Sequence, residues 1–432
     1  MIHYITSTGV GNAWVGNELM ALADRGIPFR LHSLHKPTAT FFKSEQVKQI
    51  AEQTNYIYPL SVWRVITSLL LAPFIFPRYF FPALWNSFFG RKESFSVRLK
   101  SILHFAVACA WARSLRKQQV SHIHSQWVNS CGTVGMYAAW LLHKPFSFTG
   151  HAADLFRERC ALKDKIKRAE FIVCISSFHR DFYLSEGADP DQLIIGYCGI
   201  DTSIFSPSPA SDSGPESSPD KPPIRLLSAA RLVDKKGFKY LISACKSLAD
   251  QGVDFSCTIA GDGPLLNELE YQIQQLRLGG RVTLTGRPIL QEDIPDFMRR
   301  GDIYCLPCVW ASDGDVDGLP QMLMEAMACG VPVVSTKLVG IPDLVVDGET
   351  GLLAEPNSTD DLSSKLQRLI EDKSLRSSLA ANGRQRVEQQ FDLSVCLNPL
   401  FEKFLRNFER QKFLENSSNN TKSKTKAKGI SQ

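Results

Sequence analysis

The sequence predicts an α/β fold of two doubly wound domains that face each other across a cleft. Strand-like and helix-like stretches alternate nearly throughout its 432 residues, and the alternation restarts after a polar segment at 206–223. Repeated βαβ units indicate a parallel sheet with helices on both faces. The chain is 44% hydrophobic, which is enough for two ordinary globular cores.

The first domain is predicted to span residues 1–205. Its strand-like stretches read IHYIT, FRLHSL, HIHSQW, FSFTG, EFIVCIS and LIIGY, and helical stretches lie between them at 94–118, 129–143 and 177–187. The segment at 206–223 is rich in Pro, Ser and Asp, a composition typical of an exposed linker.

The second domain is predicted at 224–391. It repeats the pattern with the strands IRLLSAA, FSCTIAG, RVTLTG, IYCLPC and VPVVST, and with helices at 238–251, 264–278, 291–300, 320–329, 358–372 and 374–390. An amphipathic helix at 392–412 is expected to join the first domain. The tail at 413–432 carries four lysines without apolar partners and is predicted to be disordered.

Composition limits the class of protein. The formal net charge of +5 is too small to indicate a nucleic-acid partner. The chain has eleven cysteines, and those in apolar runs, such as Cys174 and Cys305, are interpreted as small buried hydrophobes. The start MIHYITSTGVGN lacks the features of a signal peptide. We therefore expect a cytoplasmic protein.

The segment at 60–89 is strongly apolar and aromatic. Its uncharged run, Val65 to Pro77, is shorter than the roughly 20 residues that span a bilayer, and prolines 73, 77 and 82 are expected to break it. Three interpretations stay open: a buried core segment, an interfacial membrane patch, or a true span. Basic residues within and after the segment favour contact with anionic lipid: Arg64, Arg78, Arg91, Lys92, Arg98 and Lys100.

Candidate binding residues follow the strands of the second half, where doubly wound sheets bind ligands. Arg231 and Lys236 follow the strand IRLLSAA and have the charge to neutralise a diphosphate, although a solvated basic turn would look the same. Gly261 and Gly263, in GDGP, form a tight turn after the next strand.

The stretch DGDVDGLPQMLMEAMACG, at 313–330, predicts the start of a buried helix. Gly318 and Leu319 lead to Pro320, which suits the first helical turn, and the free N–H groups there favour an anion. Gln321 and Glu325 share one face of an otherwise apolar helix. Glu325 therefore needs partners, which are either ligand hydroxyls or protein backbone.

The first half offers a second set of candidates. His151 ends the strand FSFTG and Asp154 follows three residues later, a pair that suits a substrate hydroxyl or a proton transfer. The alternative is a helix-start Asp and a structural His. Gly9 and Gly11, in STGVGN, resemble a phosphate loop without matching GxGxxG.

Taken together, these motifs resemble a known family. RLVDKKG, GDGP and DGLPQMLMEAMACGVPVVST are similar to the nucleotide-binding half of the retaining GT-B glycosyltransferases, specifically glycosyltransferase family 4 (group 1). TGHAADLF, VCISSFHRDF and GIDTSIFSP are similar to its first-domain and linker patterns. The variant DGDVDGLP is similar to the subgroup for colanic acid and other bacterial exopolysaccharides.

The resemblance implies roles for individual residues. Asp317, with the backbone after it, would contact the donor sugar, and Glu325 would bind the ribose hydroxyls. Arg231 and Lys236 would hold the diphosphate and stabilise it as the leaving group. His151 matches the active-site His near the donor sugar. The remaining substrate-binding positions implied or expected are Gly9, Gly11, Asp154, Gly261, Gly263, Gly318, Leu319 and Pro320.

The resemblance also implies an activity. A sugar would pass from a nucleotide diphosphate donor to a saccharide acceptor, expected to be lipid-linked, at the cytoplasmic face of the membrane. No metal, other cofactor or nucleic acid is expected. The chain departs from the family pattern at Asp317, where Glu is usual, at Cys198, where Asn is usual, and in its longer linker.

Two alternatives remain open from the sequence. Asp313 and Asp315 form a DxD that would bind a divalent cation in the other transferase fold. The departures at Asp317 and Cys198 also allow a non-catalytic, nucleotide-binding scaffold at the membrane. His122 and His124 share a strand face, but no further Cys or His lies at metal-site spacing.

Overall fold

The chain folds into two compact units. The structure, a computed structural model, describes residues 1–37, 45–157, 159–207 and 222–410. Unit 1 comprises Met1–Cys174, Arg180–Gly196 and the chain from Leu397 onward, and unit 2 comprises Ile175–His179 and Tyr197–Cys396. The predicted tail at 413–432 and most of the predicted linker, 208–221, lie outside the described residues.

Unit 1 is built on a parallel sheet of seven strands. These are β1 (Ile2–Thr6), β2 (Phe29–Ser33), β3 (Asn55–Tyr56), β4 (His122–Ser125), β5 (Phe146–Gly150), β6 (Phe171–Cys174) and β7 (Leu193–Ile195). Their order in the sheet is β3-β2-β1-β4-β5-β6-β7. Ile2 pairs with Phe29 on one side and with His122 on the other. The winding direction therefore reverses between β1 and β4.

Helices connect and cover these strands. They are α1 (Ala13–Asp24), α2 (Glu45–Glu52), α3 (Val62–Ile75), α4 (Pro77–Phe89), α5 (Phe95–Leu115), α6 (Ser130–Leu142), α7 (Leu162–Arg168) and α8 (Ser177–Ser185). Almost every residue of α6 is buried. The C-terminal half of α5 is also buried, including Phe105 and Trp111, while α3 and α4 bury mainly small residues.

Unit 2 contains a second parallel sheet, of six strands. They are β8 (Ile224–Ala229), β9 (Phe255–Ala260), β10 (Val282–Leu284), β11 (Ile303–Cys305), β12 (Val333–Thr336) and β13 (Leu352–Ala354). The sheet order is β10-β9-β8-β11-β12-β13, so the winding reverses between β8 and β11.

The helices of unit 2 are α9 (Phe238–Asp250), α10 (Leu266–Gln275), α11 (Ile294–Arg299), α12 (Gln321–Ala328), α13 (Ile341–Leu344), α14 (Thr359–Glu371), α15 (Lys373–Arg386) and α16 (Leu393–Cys396). The amphipathic helices α9 and α14 pack against each other through buried leucines such as Leu241 and Leu366. Strand residues of the sheet, such as Val333 and Val334, are fully buried.

A last described helix, α17 (398–410), returns to unit 1. Its Phe404 is fully buried, with ring centroids 5.9 Å from Tyr4 and 5.8 Å from Phe171. The rings of His122 and His124, which lie on the same strand face, are each 5.5 Å from Phe404. The last described helix is therefore part of the core of unit 1.

The two parallel sheets with flanking helices confirm the predicted α/β class. Ten of the eleven cysteines are buried, and Cys198 is half-buried. The expectation that three prolines break the segment at 60–89 was wrong for two of them. Pro73 lies inside α3 and Pro82 inside α4, and only Pro77 marks a boundary, at the first position of α4.

The interpretation of 60–89 as a buried core segment was also wrong. Most of its large apolar side chains are exposed, for example Phe74 at 82% and Trp85 at 67%. In the part of the chain that the structure describes, one helix, α5, is long and apolar enough to cross a membrane, and 44% of its most apolar stretch is buried inside the protein.

Candidate functional site

The point in unit 2 where the winding reverses brings two loops together. Ligands of doubly wound sheets bind at such points, outside the carboxyl ends of the strands. Here the loop after β8 meets the loop after β11. The N–H group of Val309 donates to the Lys235 carbonyl oxygen at 2.9 Å, and the N–H group of Ser312 donates to the Asp234 carboxylate at 3.0 Å. The two loops therefore form one framework.

Glycines make this framework possible. Gly237 has a φ of +69°, and a Cβ at this position would overlap the carbonyl oxygen of Pro307. In the same way, a Cβ on Gly261 would overlap the Ala230 carbonyl oxygen, and one on Gly263 would collide with the Leu232 backbone. Gly261 and Gly263 therefore hold the loop after β9 against the loop after β8.

Two lysines and two aspartates lie at this site. The Lys236 ammonium binds the Asp317 carboxylate. The Lys235 ammonium lies 3.1 Å from Asp317 and 3.2 Å from Asp315. Burial alone would lower the pKa of Lys236 and raise the pKa of Asp317. The opposite charges outweigh burial, so that the pKa of Lys236 is raised and the pKa of Asp317 is lowered.

Arg231 adds a third positive charge. Its side chain is exposed, and its charge opposes protonation of Lys236. Within the described ranges, no hydrogen bond or ion pair forms to the Arg231 guanidinium. Three cations thus face two carboxylates, and the sequence had pointed to only two of these cations. Lys235 was missed because the sequence analysis assigned the charge of this loop to Arg231 and Lys236. Only the fold shows that both lysines reach Asp317.

The DxD aspartates are occupied by protein groups. Asp313 accepts the N–H group of Asp315 at 3.0 Å, and Asp315 accepts the N–H group of Val316 at 2.9 Å while it pairs with Lys235. No cluster of three or more His, Cys, Asp or Glu side chains suited to a metal occurs among the residues the structure describes.

Helix α12 carries Glu325 into the interior. Gly318, Leu319 and Pro320 are buried at its start, and all six residues Leu323–Ala328 are buried. Glu325 is 7% exposed, and its Oε2 atom has no hydrogen-bond partner in the described part of the chain. Burial raises the pKa of Glu325 to about 7.

The position of Glu325 relative to β8 follows from Tyr304. The Glu325 charge contributes to the raised pKa of the Tyr304 phenol, after the larger effect of burial. The same phenol donates to the Ala229 carbonyl oxygen, at the carboxyl end of β8, at 2.9 Å. The Glu325 carboxylate is therefore close enough to the Tyr304 phenol, which binds the carboxyl end of β8, to interact with it electrostatically. A buried acceptor without a donor is rare, and it calls for an explanation.

In unit 1, the reversal between β1 and β4 places aromatic side chains around His151. The ring centroid of His151 lies 4.0 Å from Trp14, at the start of α1, and 4.7 Å from Trp127, just after β4. The two tryptophan rings are 5.3 Å apart. Neither was singled out from the sequence. Their positions, at the start of the helix that follows β1 and just after β4, are the signal that would have found them.

The nearby glycine turn is closed by internal hydrogen bonds. The N–H group of Gly9 donates to the Ser33 hydroxyl at 2.7 Å, and the N–H group of Gly11 donates to the Thr8 carbonyl oxygen at 3.1 Å. Both donors that a phosphate loop would offer are thus used by the protein.

Asp154 lies in the first turn of a short helix that follows β5. It is 1% exposed, and its carboxylate accepts the main-chain N–H groups of His151, at 2.7 Å, and of Val128. The contact shown between His151 and Asp154 therefore runs through the backbone. Burial raises the pKa of Asp154 to about 7, although these N–H groups oppose the shift.

Comparison with known proteins places the two units in one family. A family model for glycosyl transferases group 1 matches residues 212–386, and a model for glycosyltransferase family 4 matches residues 86–204. Together they match more than half of the chain. The chain belongs to this glycosyltransferase family. The resemblance to this family seen in the sequence is confirmed, and the matched models indicate a transferase.

Two curated relatives come from polysaccharide biosynthesis. WcaL of Escherichia coli (strain K12), assigned to colanic acid biosynthesis, is 32% identical over 231 residues, which are 53% of this chain and 55% of WcaL. The amylovoran biosynthesis glycosyltransferase AmsK of Erwinia amylovora is 39% identical over 181 residues, 42% of this chain and 44% of AmsK. The chain spans about half the length of the curated relatives it matches.

A solved structure supports the fold. HepE of Anabaena, determined in complex with UDP, superimposes with a TM-score of 0.68 at 18% identity, covering 94% of this chain and 99% of HepE. This similarity confirms the GT-B fold class.

Proposed function

We propose that this glycosyltransferase transfers a sugar, with retention of configuration, from a nucleotide diphosphate donor. The acceptor we propose is a lipid-linked saccharide in exopolysaccharide biosynthesis, at the cytoplasmic face of the membrane. The observation that carries the donor half is Glu325, a buried carboxylate on α12 with a free acceptor atom in the described structure. Two ribose hydroxyls would supply the donors that the protein lacks.

The cations in the loop after β8 suit the diphosphate. Lys235, Lys236 and Arg231 offer three positive charges within one loop, and a nucleoside diphosphate leaving group gains negative charge as the sugar departs. Fixed cations at that point stabilise the transition state more than the ground state. In this proposal Asp317 exchanges its lysine partners for hydroxyls of the donor sugar, and the lysines turn to the phosphates. No metal ion is required.

The acceptor half rests on unit 1 and on the relatives. His151, with Trp14 and Trp127, lies where the winding of the sheet reverses, a usual place for a ligand. The names of WcaL and AmsK point to exopolysaccharides as products. A saccharide acceptor is consistent with an aromatic pair beside a titratable side chain.

The test is a thermal-shift panel of UDP, GDP and ADP with their sugar conjugates. One nucleotide should raise the melting temperature, because a ligand of the native state stabilises it by mass action. Glu325→Gln and Lys236→Met should each remove this shift and lower transfer at least about a hundredfold. Lys246→Met is the matched control, since Lys246 forms an exposed ion pair with Asp250 elsewhere in unit 2.

Three outcomes would contradict the proposal in different ways. A full shift in Glu325→Gln would remove Glu325 from the donor site. Nucleotide binding without turnover of any sugar conjugate would favour the non-catalytic scaffold. Loss of transfer in EDTA, restored by a divalent cation, would favour the DxD aspartates as a metal site.

A further inference from the structure

We infer that helices α3, α4 and α5 form a docking surface for an anionic lipid bilayer, on which the protein lies without crossing it. The surface consists of the exposed apolar side chains at 62–103, and we call it the apolar face. This inference does not depend on the proposed donor or acceptor sites, because none of their residues belongs to these helices.

The apolar face holds most of the exposed apolar side chains of the protein. Among the described residues, 20 large hydrophobic side chains are exposed, and 13 of them lie between residues 62 and 103. Soluble proteins rarely leave such residues in one contiguous group, because exposed apolar area favours association. Because most of the exposed apolar side chains lie in a tenth of the sequence, we infer that another apolar surface covers them.

Helices α3 and α4 expose most of their large apolar side chains instead of burying them. α3 buries the small residues Ser68 and Ala72, while Trp63, Leu70 and Phe74 point outward at roughly helical spacing. α4 buries Phe80 together with the small residues Ala83 and Ser87, while Phe81, Trp85 and Phe89 are exposed. A helix that packs only onto a protein core has the opposite pattern. The large side chains are therefore arranged for contact outside unit 1.

The three helices are joined into one structure. α3 and α4 both pack on α5, and the Arg98 guanidinium near the start of α5 donates to the Phe88 carbonyl oxygen at the end of α4. The exposed Phe95, in the first turn of α5, is three residues from Arg98. The apolar stripe thus continues from α4 onto the first half of α5.

Helix lengths and burial argue against a span. α3 has 14 residues and α4 has 13, which correspond to about 20 Å, whereas a bilayer core measures about 30 Å. α5 has 21 residues, but its C-terminal half, including Phe105 and Leu115, is buried in unit 1. A helix held in this way lies along the interface.

The charges select an anionic lipid surface over a second copy of the chain. Residues 62–115 contain five Arg and two Lys but one acid, Glu93. The Glu93 carboxylate is engaged, since it accepts the N–H groups of Ala161 and Leu162 at 2.6 and 2.7 Å. Two copies meeting face to face would bring like charges together. An anionic bilayer would complement Arg64, Arg78 and Lys100, which are exposed.

The experiment is co-sedimentation of the full chain with vesicles of phosphatidylcholine, with and without phosphatidylglycerol. We expect binding to the anionic vesicles that weakens at high salt. Trp63→Ser/Phe74→Ser/Trp85→Ser should lower the partition coefficient at least about tenfold, because three aromatic side chains no longer enter the interface. Arg64→Gln/Arg78→Gln/Lys100→Gln should remove the preference for phosphatidylglycerol.

The matched control is Tyr271→Ser/Leu405→Ser, which removes two exposed apolar side chains outside the apolar face and should bind as the wild type does. Circular dichroism shows whether each variant is folded. The nucleotide thermal shift tests the donor site independently, so a failed donor assignment is separable from a failed docking surface. Undiminished binding by the aromatic triple variant would overturn the inference. So would a wild-type dimer that ignores vesicles and becomes a monomer in that variant.

Discussion

Glu325 is held where its ionised form is unfavourable. Its carboxylate is buried in an apolar helix, one oxygen has no donor in the described structure, and its pKa is raised to about 7 from an ordinary value of 4.5. Since the unfolded chain loses this proton at a lower pH, the native state binds more protons between about pH 4.5 and pH 7. Unfolding free energy therefore falls as pH rises through this window, and the penalty is complete above it.

Glu325→Gln should remove this penalty. At pH 8 the variant should be more stable than the wild type by about 2–3 kcal/mol, and near pH 5 the two should be nearly equal. Urea unfolding at both values measures the difference, and Glu18 and Asp154 titrate alike in both proteins. An equal difference at pH 5 and pH 8 would mean that the Glu325 carboxylate does not titrate as the structure indicates.

At the scale of residues, the sequence predicts burial better than pairing. The position of Glu325 in an otherwise apolar helix indicates that it is buried and needs hydrogen-bond partners. Nothing in the sequence shows that Lys235 and Lys236 both reach Asp317, because that contact spans about 80 positions and depends on how two loops meet. Asp154 shows the same limit, since its spacing suits both a catalytic pair and a backbone ligand.

At the scale of elements, two loops of unit 2 approach each other so closely that a residue with a Cβ atom would not fit at the contact. Gly237 and Gly252 both have a positive φ, +69° and +74°, but only at Gly237 would a Cβ overlap another loop, at Pro307. Comparing alanine substitutions at these two glycines therefore separates the free-energy cost of a positive φ from the cost of a clash between the loops.

Gly237→Ala should destabilise the protein by about 3 kcal/mol or more and weaken nucleotide binding, because the loop with Lys236 must move. Gly252→Ala carries only the backbone strain and should cost about 1 kcal/mol with no effect on binding. Thermal unfolding and the nucleotide shift measure both effects. Equal costs at the two glycines would show that the loop after β11 tolerates the displacement.

The sequence predicted strands correctly where several consecutive residues carry the same apolar pattern, and it missed strands of only two or three residues. The predicted strands are present because runs such as IRLLSAA and VPVVST carry a continuous apolar signal. β3 and β13 were missed, since two and three residues respectively form no periodic pattern. In 60–89 the helices tolerate Pro73 and Pro82, which the local rule for proline did not anticipate.

At the scale of the whole molecule, the last described helix stabilises the unit that begins the chain. Phe404→Ala should lower the stability of unit 1 by about 3–5 kcal/mol, because Phe404 fills a space between Tyr4, His122 and Phe171. Leu405→Ala, at the exposed neighbouring position, should cost less than about 0.5 kcal/mol. Chemical denaturation followed by fluorescence compares them, and similar losses would refute the packing of α17.

The chain crosses between the units near residues 174, 179, 196 and 396. Neither unit is therefore encoded by one uninterrupted stretch of gene. A chimera that takes unit 2 from a relative needs breakpoints at all of these crossings, and a single splice in the linker would separate α17 from the sheet it covers. Recombination between such proteins should therefore preserve function only when the segments that encode β1 and α17 come from the same parent.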